Sequence, residues 1–392
     1  MRFASSNTVK EDTAAAIDEV IEGVGRQVTP GMVDLALVFL TLDYADDMEH
    51  ILDRIRVGLP NALLCGCTAG GTIANGTETE HGPSIALLAA SLPDVNVRPF
   101  CLTQSQLHGI ETHLDWERIV GVAPESRPIF VALADPFRLD ITGFAEKLSE
   151  SFPNSPLLGG VASAGREPEQ NMLLLDGEVF REGVVGLALT GRISVDTVVS
   201  QGCRPVGTTF VITKGERNVI SELGGKAPLA RLQDVLAKLP PEDVSLAKRS
   251  LFVGRVIDEY KTEFSRGDFL IHNIMGADRK TGAIAIAGPA RVGSTIQFHI
   301  RDAKSADEDL RAQLAPHRGT DVRGAMLFGC NGRGTNMWDE PDHDAGVLRE
   351  VIGDVPVAGF FCGGEFGPVG GKNFVHGFTA SIGLFRDPGP DP

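Results

Sequence analysis

The sequence has 392 residues, so its length predicts two domains of ordinary size. Hydrophobic residues make up 42% and charged residues 22% of the chain, which is typical of a globular protein with a substantial core. The net charge of −16 and the lack of any basic run argue against a surface for nucleic acid or for an anionic membrane, because phosphate binding needs clustered Lys and Arg.

Residues 1–28 are predicted to form an N-terminal lead-in ahead of the first domain. They contain no apolar stretch long enough for a signal peptide, and no run of about 18 apolar residues occurs anywhere, so we expect no membrane insertion. The six cysteines are scattered and form no CxxC pair, which argues against a disulfide framework or a zinc site. We therefore expect a cytoplasmic protein with reduced thiols and with neither metal nor cofactor.

A repeated order of elements follows this lead-in. The apolar run "VDLALVFLTLD" precedes a helical pattern, a second run that ends in the glycine-rich turn "ALLCGCTAGGT", and a closing run "SIALLAASL". The same order returns from "PIFVALADP" to "GVVGLALTG", and again from "RGAMLFGCNGRG" to "GFTASIGLF". Short apolar runs bounded by Gly, Pro or Asn are typical of strands buried on both faces, which predicts parallel or mixed sheets covered by helices.

The helical pattern of the first repeat is "DDMEHILDRIRVGL". Its apolar residues recur at spacings of three and four, so they share one helix face: Met48, Ile51, Leu52, Ile55 and Leu59. In the middle of the chain, "LARLQDVLAKLPPEDVSLAKRSLFVGRVIDEY" predicts two helices separated by Pro-Pro and then a strand. The alternating pattern from "DFLIHNIMG" to "STIQFHIRD" predicts antiparallel strands. The expected fold class is α/β (mixed α+β), with two domains built from repeated strand-helix-strand units with mixed sheets.

The motifs "GCTAGGT", "PLLGGVASAG" and "GCNGRG…PVAGFFCGGEFGP…HGFTASIGLF" together resemble those of the FIST proteins, from about Ala4 to Phe385. The resemblance implies a FIST N-like domain at 29–230 and a FIST C-like domain at 231–386. The tail at 387–392 is predicted to be disordered, because its prolines break any regular element. The resemblance also implies an intracellular sensory module for small ligands, amino acids being the usual suggestion. No kinase, cyclase, receiver or F-box segment is recognisable, so a separate signalling protein is a candidate partner.

Two turns near the C-terminus carry the candidate ligand-binding residues. Asn331 and Arg333 follow one predicted strand, and ligands of open α/β sheets collect beyond the carboxyl ends of strands. Arg333 is suited to a ligand carboxylate and Glu365 to a ligand ammonium group, while a structural ion pair between the two is the alternative. The remaining candidates are the neighbouring small or sulfur-containing residues Cys330, Cys362, Gly363 and Gly364, and Thr68 and Gly70 from the first repeat.

The sequence allows one alternative role for these turns, and an acidic loop follows the first of them. Cys362 or Cys330 could be a catalytic nucleophile with His376 as its base, although cysteine is more often a buried small hydrophobe. The acidic loop "MWDEPDHDAG" lacks the spacing of a calcium site and is predicted to be a solvated loop over the cleft, with Trp338 as an aromatic cover.

The leading hypothesis is therefore a small-molecule sensor that binds an amino acid or a similar zwitterion in a glycine-lined cleft. The first alternative is an enzyme with a cysteine nucleophile that acts on a small metabolite. The second is a protein-interaction scaffold without a ligand. Catalytic activity stays an open question, and a sensor without catalysis is favoured.

Overall fold

The repeated pattern of the sequence folds as three successive segments with a common order of elements. The computed structural model describes residues 1–389. The first segment contains β1 (Arg2–Thr8), α1 (Thr13–Gly25), β2 (Leu35–Leu40), α2 (Met48–Gly58), β3 (Leu63–Thr68), β4 (Thr72–Ala74), β5 (Thr77–Thr79) and β6 (Ile85–Ser91). The second contains β7 (Val95–Leu102), α3 (Gln104–Gly109), α4 (His113–Val120), β8 (Ile129–Ala134), α5 (Ile141–Ser151), β9 (Leu157–Val161), β10 (Leu173–Leu175), β11 (Glu178–Phe180) and β12 (Val184–Gly191).

The third segment is interrupted by a separate unit. It begins with β13 (Ser194–Ser200). The chain then forms β14 (Cys203–Glu216), β15 (Val219–Leu223), α6 (Pro228–Leu236), α7 (Pro241–Ala247), β16 (Leu251–Val256), β17 (Phe269–Ala277), β18 (Ile284–Ile286), β19 (Thr295–Arg301) and α8 (Ala303–Leu314). The segment resumes with β20 (Gly324–Cys330), α9 (His343–Ile352), β21 (Val357–Cys362), β22 (Glu365–Val369), β23 (Lys372–His376) and β24 (Ala380–Arg386).

Each segment contributes a parallel strand pair to the centre of a six-stranded mixed sheet. The strand orders are β1-β6-β2-β3-β10-β11, β23-β22-β9-β8-β12-β7 and β13-β24-β20-β21-β4-β5. The parallel pairs are β2 with β3, β8 with β9, and β20 with β21. The mixed α/β fold class and the mixed sheets predicted from the sequence are confirmed.

The three segments exchange their hairpins in a cycle. The hairpin β4–β5 of the first segment pairs with β21 of the third, and β22–β23 of the third pairs with β9 of the second. The hairpin β10–β11 of the second segment pairs with β3 of the first. Each sheet is therefore completed by a neighbouring segment, so that no segment forms its full sheet alone.

Apolar residues of the three sheets meet in one shared core. Phe39 on β2 lies 5.0 Å from Phe360 on β21 and 6.1 Å from Phe328 on β20, measured between ring centroids. The opposite face of β2, with Val38, packs in a second core that also includes Ile51 of α2. Because these strands are buried on both faces, they are apolar at successive positions rather than alternating.

The helix predictions agree with these bounds. The apolar face predicted for α2 is buried, from Met48 to Ile55, as is Leu59 just beyond the helix. The two predicted helices α6 and α7 are separated at the Pro-Pro pair, whose second proline is the first residue of α7, and they are followed by β16. A stretch of 3₁₀ helix (Leu42–Asp47) leads into α2.

The chain divides into two compact units. One contains residues 1–199 and the chain from residue 311 onward, and the other is Ser200–Leu310. This second unit is a closed barrel with strand order β14-β15-β18-β17-β16-β19, and its predicted antiparallel strands are confirmed. The barrel core includes Ile296, Phe298 and Ile300 of β19.

The predicted domain limits follow the order of the sequence, whereas these units are defined by contacts, and the limits 29–230 and 231–386 stay a prediction. Residues 1–28, predicted as a lead-in, contain β1 and α1. Within the predicted tail, Asp387 accepts a hydrogen bond from the Met1 amino group at 2.9 Å, and residues 390–392 lie outside the described chain. No helix in the described part of the chain has the length and apolar composition needed to cross a membrane.

Candidate functional site

The carboxyl ends of the three parallel strand pairs bring four residues together at the surface. The Gly70 amide, beyond β3, donates a hydrogen bond to Ser163 Oγ, beyond β9, at 2.9 Å. Asn331, which follows β20, has its Oδ1 3.6 Å from the position that a Cβ would take at Gly70. Gly363, which follows β21, donates its amide hydrogen to the Val161 carbonyl at 2.9 Å. We call Gly70, Ser163, Asn331 and Gly363 the glycine face.

Two members of the glycine face could carry a side chain with only ordinary van der Waals contacts at Cβ. A Cβ at Gly70 would have no neighbour closer than 3.4 Å, and one at Gly363 none closer than 3.6 Å. Both residues are exposed, as is Asn331. The local backbone therefore tolerates a side chain at either glycine, and neither glycine is required there by close packing.

Ser163 joins the three segments at this point and was not recognised in the sequence. Its hydroxyl accepts from the Gly70 amide of the first segment and donates to the Phe361 carbonyl of the third. The sequence signal available was its place in "LGGVASAG", where it follows a predicted strand as Gly70 does in "GCTAGG".

The other predicted ligand-binding residues lie below this face. Thr68, Cys362 and Gly364 are buried, and Cys330 is half-buried. The Thr68 hydroxyl accepts a hydrogen bond from the Met172 amide at 2.9 Å, so this side chain ties β3 to the neighbouring segment. The structure thus brings Gly70, Asn331 and Gly363 to the surface and places the rest in the layer beneath.

Arg333 is completely buried and is held by Asp344. Its Nη2 donates to Asp344 Oδ1 at 2.9 Å and its Nε donates to Oδ2 of the same carboxylate. Its Nη1 donates to the Phe378 carbonyl at 3.3 Å. The ion pair considered between Arg333 and Glu365 is thus formed with Asp344 instead, because α9 begins beside Arg333 and carries Asp344 in its first turn.

The predicted aromatic cover packs on this ion pair. The Trp338 ring stacks on the His343 ring with centroids 3.7 Å apart, and the Arg333 guanidinium lies 5.0 Å from the Trp338 centroid. His343 Nδ1 lies 3.0 Å from Asp344 Oδ1. Burial raises the pKa of Asp344, but the Arg333 charge and hydrogen bonds outweigh burial and bring it to about 2.

Glu365, the first residue of β22, is fully buried. Burial raises its pKa well above the usual range, and the hydrogen bond from the Thr379 amide and the nearby Arg333 charge offset only part of this effect. Glu365 Oε2 accepts from Thr379 N at 3.1 Å, and a hydrogen bond with the Cys330 side chain also favours the carboxylate. Burial thus disfavours the negative charge with which Glu365 would hold a ligand ammonium group.

A second buried acid, Glu78, comes from the hairpin of the first segment and was not predicted. Its Oε1 accepts from the Ala345 amide at 2.8 Å, and its own amide donates to Asp342 Oδ1. Burial and the neighbouring Asp344 carboxylate raise the pKa of Glu78 to about 8. Glu78 therefore joins the hairpin β4–β5 to the start of α9.

The thiol and the imidazole ring of the cysteine-nucleophile hypothesis, those of Cys362 and His376, are both buried. Burial raises the pKa of Cys362 well above its usual range, and the nearby Glu365 raises it further. Burial lowers the pKa of His376 to about 4, and its Nε2 contacts the Gly367 carbonyl at 2.9 Å. These surroundings disfavour thiolate formation at Cys362.

We expect iodoacetamide at neutral pH to modify the exposed Cys101 first and Cys362 only slowly, because reaction requires an accessible thiolate. Peptide mass spectrometry over a time course would measure both rates, with urea-unfolded protein as the control in which Cys362 reacts freely. Faster modification of Cys362 than of Cys101 in the folded protein would restore the enzyme hypothesis.

Comparisons with known proteins agree on one family. A model of the FIST N domain matches residues 34–226, and a model of the FIST C domain matches residues 228–368. An uncharacterized protein of Mycobacterium tuberculosis strain H37Rv is 36% identical over 391 residues, covering 99% of this chain and 100% of the relative. An uncharacterized protein of Mycobacterium bovis is 36% identical over 359 residues, covering 90% of each chain.

One solved structure, a cyanuric acid hydrolase from A. caulinodans, aligns with 99% of this chain and 100% of its own. Its sequence identity of 7% and TM-score of 0.35 are too low to carry an argument. The two domain matches and the nearly complete coverage of the mycobacterial relatives are decisive. The chain therefore belongs to the FIST family, whose paired N and C domains are associated with sensory signal transduction and suggest binding of a small ligand.

Proposed function

We propose that the protein is a cytoplasmic small-molecule sensor that binds its ligand on the glycine face and passes the signal to a separate protein. The observation that supports this most directly is the meeting of Gly70 and Gly363 at the carboxyl ends of strands from two different segments, where both residues are exposed and neither is closely packed at its Cβ position. Ligands of α/β sheets collect at such strand ends. A ligand that bridges these segments would couple its binding to their arrangement.

The candidate ligand is an amino acid or a similar small zwitterion. The exposed Asn331 amide offers neutral polar groups, which suit a molecule without net charge. In this proposal Arg333 and Glu365 support the face from below, because both side chains are fully buried and Arg333 is already paired with Asp344.

We expect Gly363→Leu to weaken amino-acid binding at least tenfold while changing the free energy of unfolding by less than about 1 kcal/mol, since the new side chain occupies the ligand space without a steric conflict at Cβ. Calorimetric titration of the wild type with the common amino acids identifies the ligand, and urea unfolding measures stability. Gly109→Ala is the matched control, because Gly109 is an exposed residue of α3 whose Cβ position has no neighbour within 4 Å.

Two results would contradict the proposal. One is that no common amino acid binds the wild type. The other is that Gly363→Leu binds the identified amino acid as tightly as the wild type and Gly109→Ala do, which would move the ligand away from the glycine face.

A further inference from the structure

Two cavities adjoin at the C-terminal end of α9. The smaller has a volume of 330 Å³ and is lined on one side by the hairpin turn Asn75–Gly76. The larger has a volume of 540 Å³ and extends along α9 to His343. Arg349, Gly353 and Asp354 line both cavities, and no member of the glycine face lines either. Both volumes fall within the range of ligand pockets.

Arg349 carries an uncompensated charge at this junction. The residue is exposed, and within residues 1–389 its guanidinium takes part in no ion pair and no hydrogen bond. The neighbouring Arg311 differs, because its Nη1 lies 2.7 Å from Glu350 Oε2. Arg349 is therefore the lining arginine that is left to recognise a ligand.

The turn at Gly76 makes room for this guanidinium. Gly76 has a φ of +83°, and a Cβ there would lie 3.1 Å from Arg349 Nη1. The amide side chains beside it are already engaged, since Gln27 Nε2 donates to the Ser5 carbonyl at 2.7 Å and Asn75 Nδ2 donates to the same oxygen at 3.2 Å. The wall of the smaller cavity is thus fixed by its own hydrogen bonds, while Arg349 retains all its donors.

We propose that Arg349 anchors a small oxyanion, a carboxylate or phosphate group, at the junction of these two cavities. A guanidinium binds either group through two parallel hydrogen bonds. Asp354, which lines both cavities, opposes an anion by its charge and so limits the affinity. The site is separate from the glycine face, and its occupation does not depend on the ligand proposed there.

The test is calorimetric titration of the full chain with citrate and with inorganic phosphate, at an ionic strength held constant with sodium chloride. We expect saturable binding of at least one of them, with one molecule per chain. Arg349→Gln should weaken this binding by at least tenfold, the effect expected for hydrogen bonds to a charged group. The affinity of Arg349→Lys should lie between those of the wild type and Arg349→Gln, because lysine keeps the charge and loses the two parallel hydrogen bonds. Arg118→Gln is the control, since Arg118 is an exposed arginine of α4 that lines neither cavity.

Asp354→Asn gives a second, opposite expectation, a severalfold tighter binding of the anion once the repelling charge is removed. Binding of citrate alone identifies a carboxylate site, and binding of phosphate alone identifies a phosphate site. The proposal is overturned if neither anion binds saturably, if Arg349→Gln binds as the wild type does, or if Asp354→Asn weakens binding, which would mean that the Asp354 carboxylate does not oppose the anion.

Discussion

Asp344→Ala should destabilise the protein by about 3 to 5 kcal/mol, because it removes one partner of a buried ion pair and leaves the other charge uncompensated. The Arg333 side chain is 0% exposed and that of Asp344 is 2% exposed, so water cannot replace the lost carboxylate. The variant also loses both hydrogen bonds from the guanidinium. Urea unfolding at pH 7, followed by circular dichroism, measures the change.

The matched control is an exposed ion pair of the same residue types. Arg54 pairs with Asp18 between α1 and α2, and the two side chains are 43% and 42% exposed. Asp18→Ala should change stability by no more than about 1 kcal/mol, the usual range for surface pairs. A loss at Asp344→Ala as small as that at Asp18→Ala would show that the buried pair is not a major determinant of the fold.

A double variant separates the cost of an unpaired charge from that of lost packing. Arg333→Met combined with Asp344→Leu should be more stable than Asp344→Ala alone, because replacing both charges leaves neither buried without a partner. If instead the loss of stability in the double variant equals the sum of the losses in Arg333→Met and Asp344→Leu measured singly, the guanidinium contributes mainly through its packing on Trp338 and its hydrogen bond to the Phe378 carbonyl.

The repeat and the helix faces could be predicted because their signals are local. The face of α2 from Met48 to Ile55 is defined by spacings of three and four within one segment, and it is buried as expected. The Pro-Pro pair at the start of α7 excludes a helix that continues from α6, because of its own geometry. Such features need no knowledge of the rest of the fold.

The partners of the buried charges could not be predicted, because they come from distant parts of the chain. Glu78 accepts from the Ala345 amide 267 residues away, and this contact exists because the hairpin β4–β5 is added to the sheet of the third segment. The acidic neighbours of Asp344 predict a solvated loop, yet Asp344 lies in the first turn of α9 and accepts a hydrogen bond from Arg333. Sequence spacing does not show which carboxylate forms an ion pair with a buried guanidinium.

In the candidate site, too, local features could be predicted from the sequence and contacts between distant segments could not. The turns that carry Gly70, Asn331 and Gly363 were recognised from their place in the repeat, and the structure brings these three residues to one exposed face. Their role as ligand contacts stays a prediction. Ser163 was not predicted, because its role depends on hydrogen bonds to the other two segments. Those contacts follow from the way the three segments assemble and are not visible in the local sequence.

Glu78→Gln should make the protein more stable at pH 8 to 9 and should have little effect at pH 4.5, because it mimics the protonated acid and removes the need to bury a charge. Between the ordinary pKa of 4.5 and the folded value of about 8, the folded chain keeps a proton that the unfolded chain has lost. Stability therefore falls as pH rises through this window, by roughly 1.4 kcal/mol per pH unit, and levels off above it.

Urea unfolding of the wild type and Glu78→Gln at intervals from pH 5 to pH 9 measures this difference. Glu49→Gln, at an exposed residue of α2, is the control and should follow the wild type throughout. The Asp344 contribution runs in the opposite sense and in a separate window, since a pKa held at about 2 adds stability as pH rises toward 3.8. A constant difference between Glu78→Gln and the wild type across pH 5 to 9 would mean that Glu78 is not protonated in the folded protein, and that the hairpin and α9 are joined by a carboxylate instead.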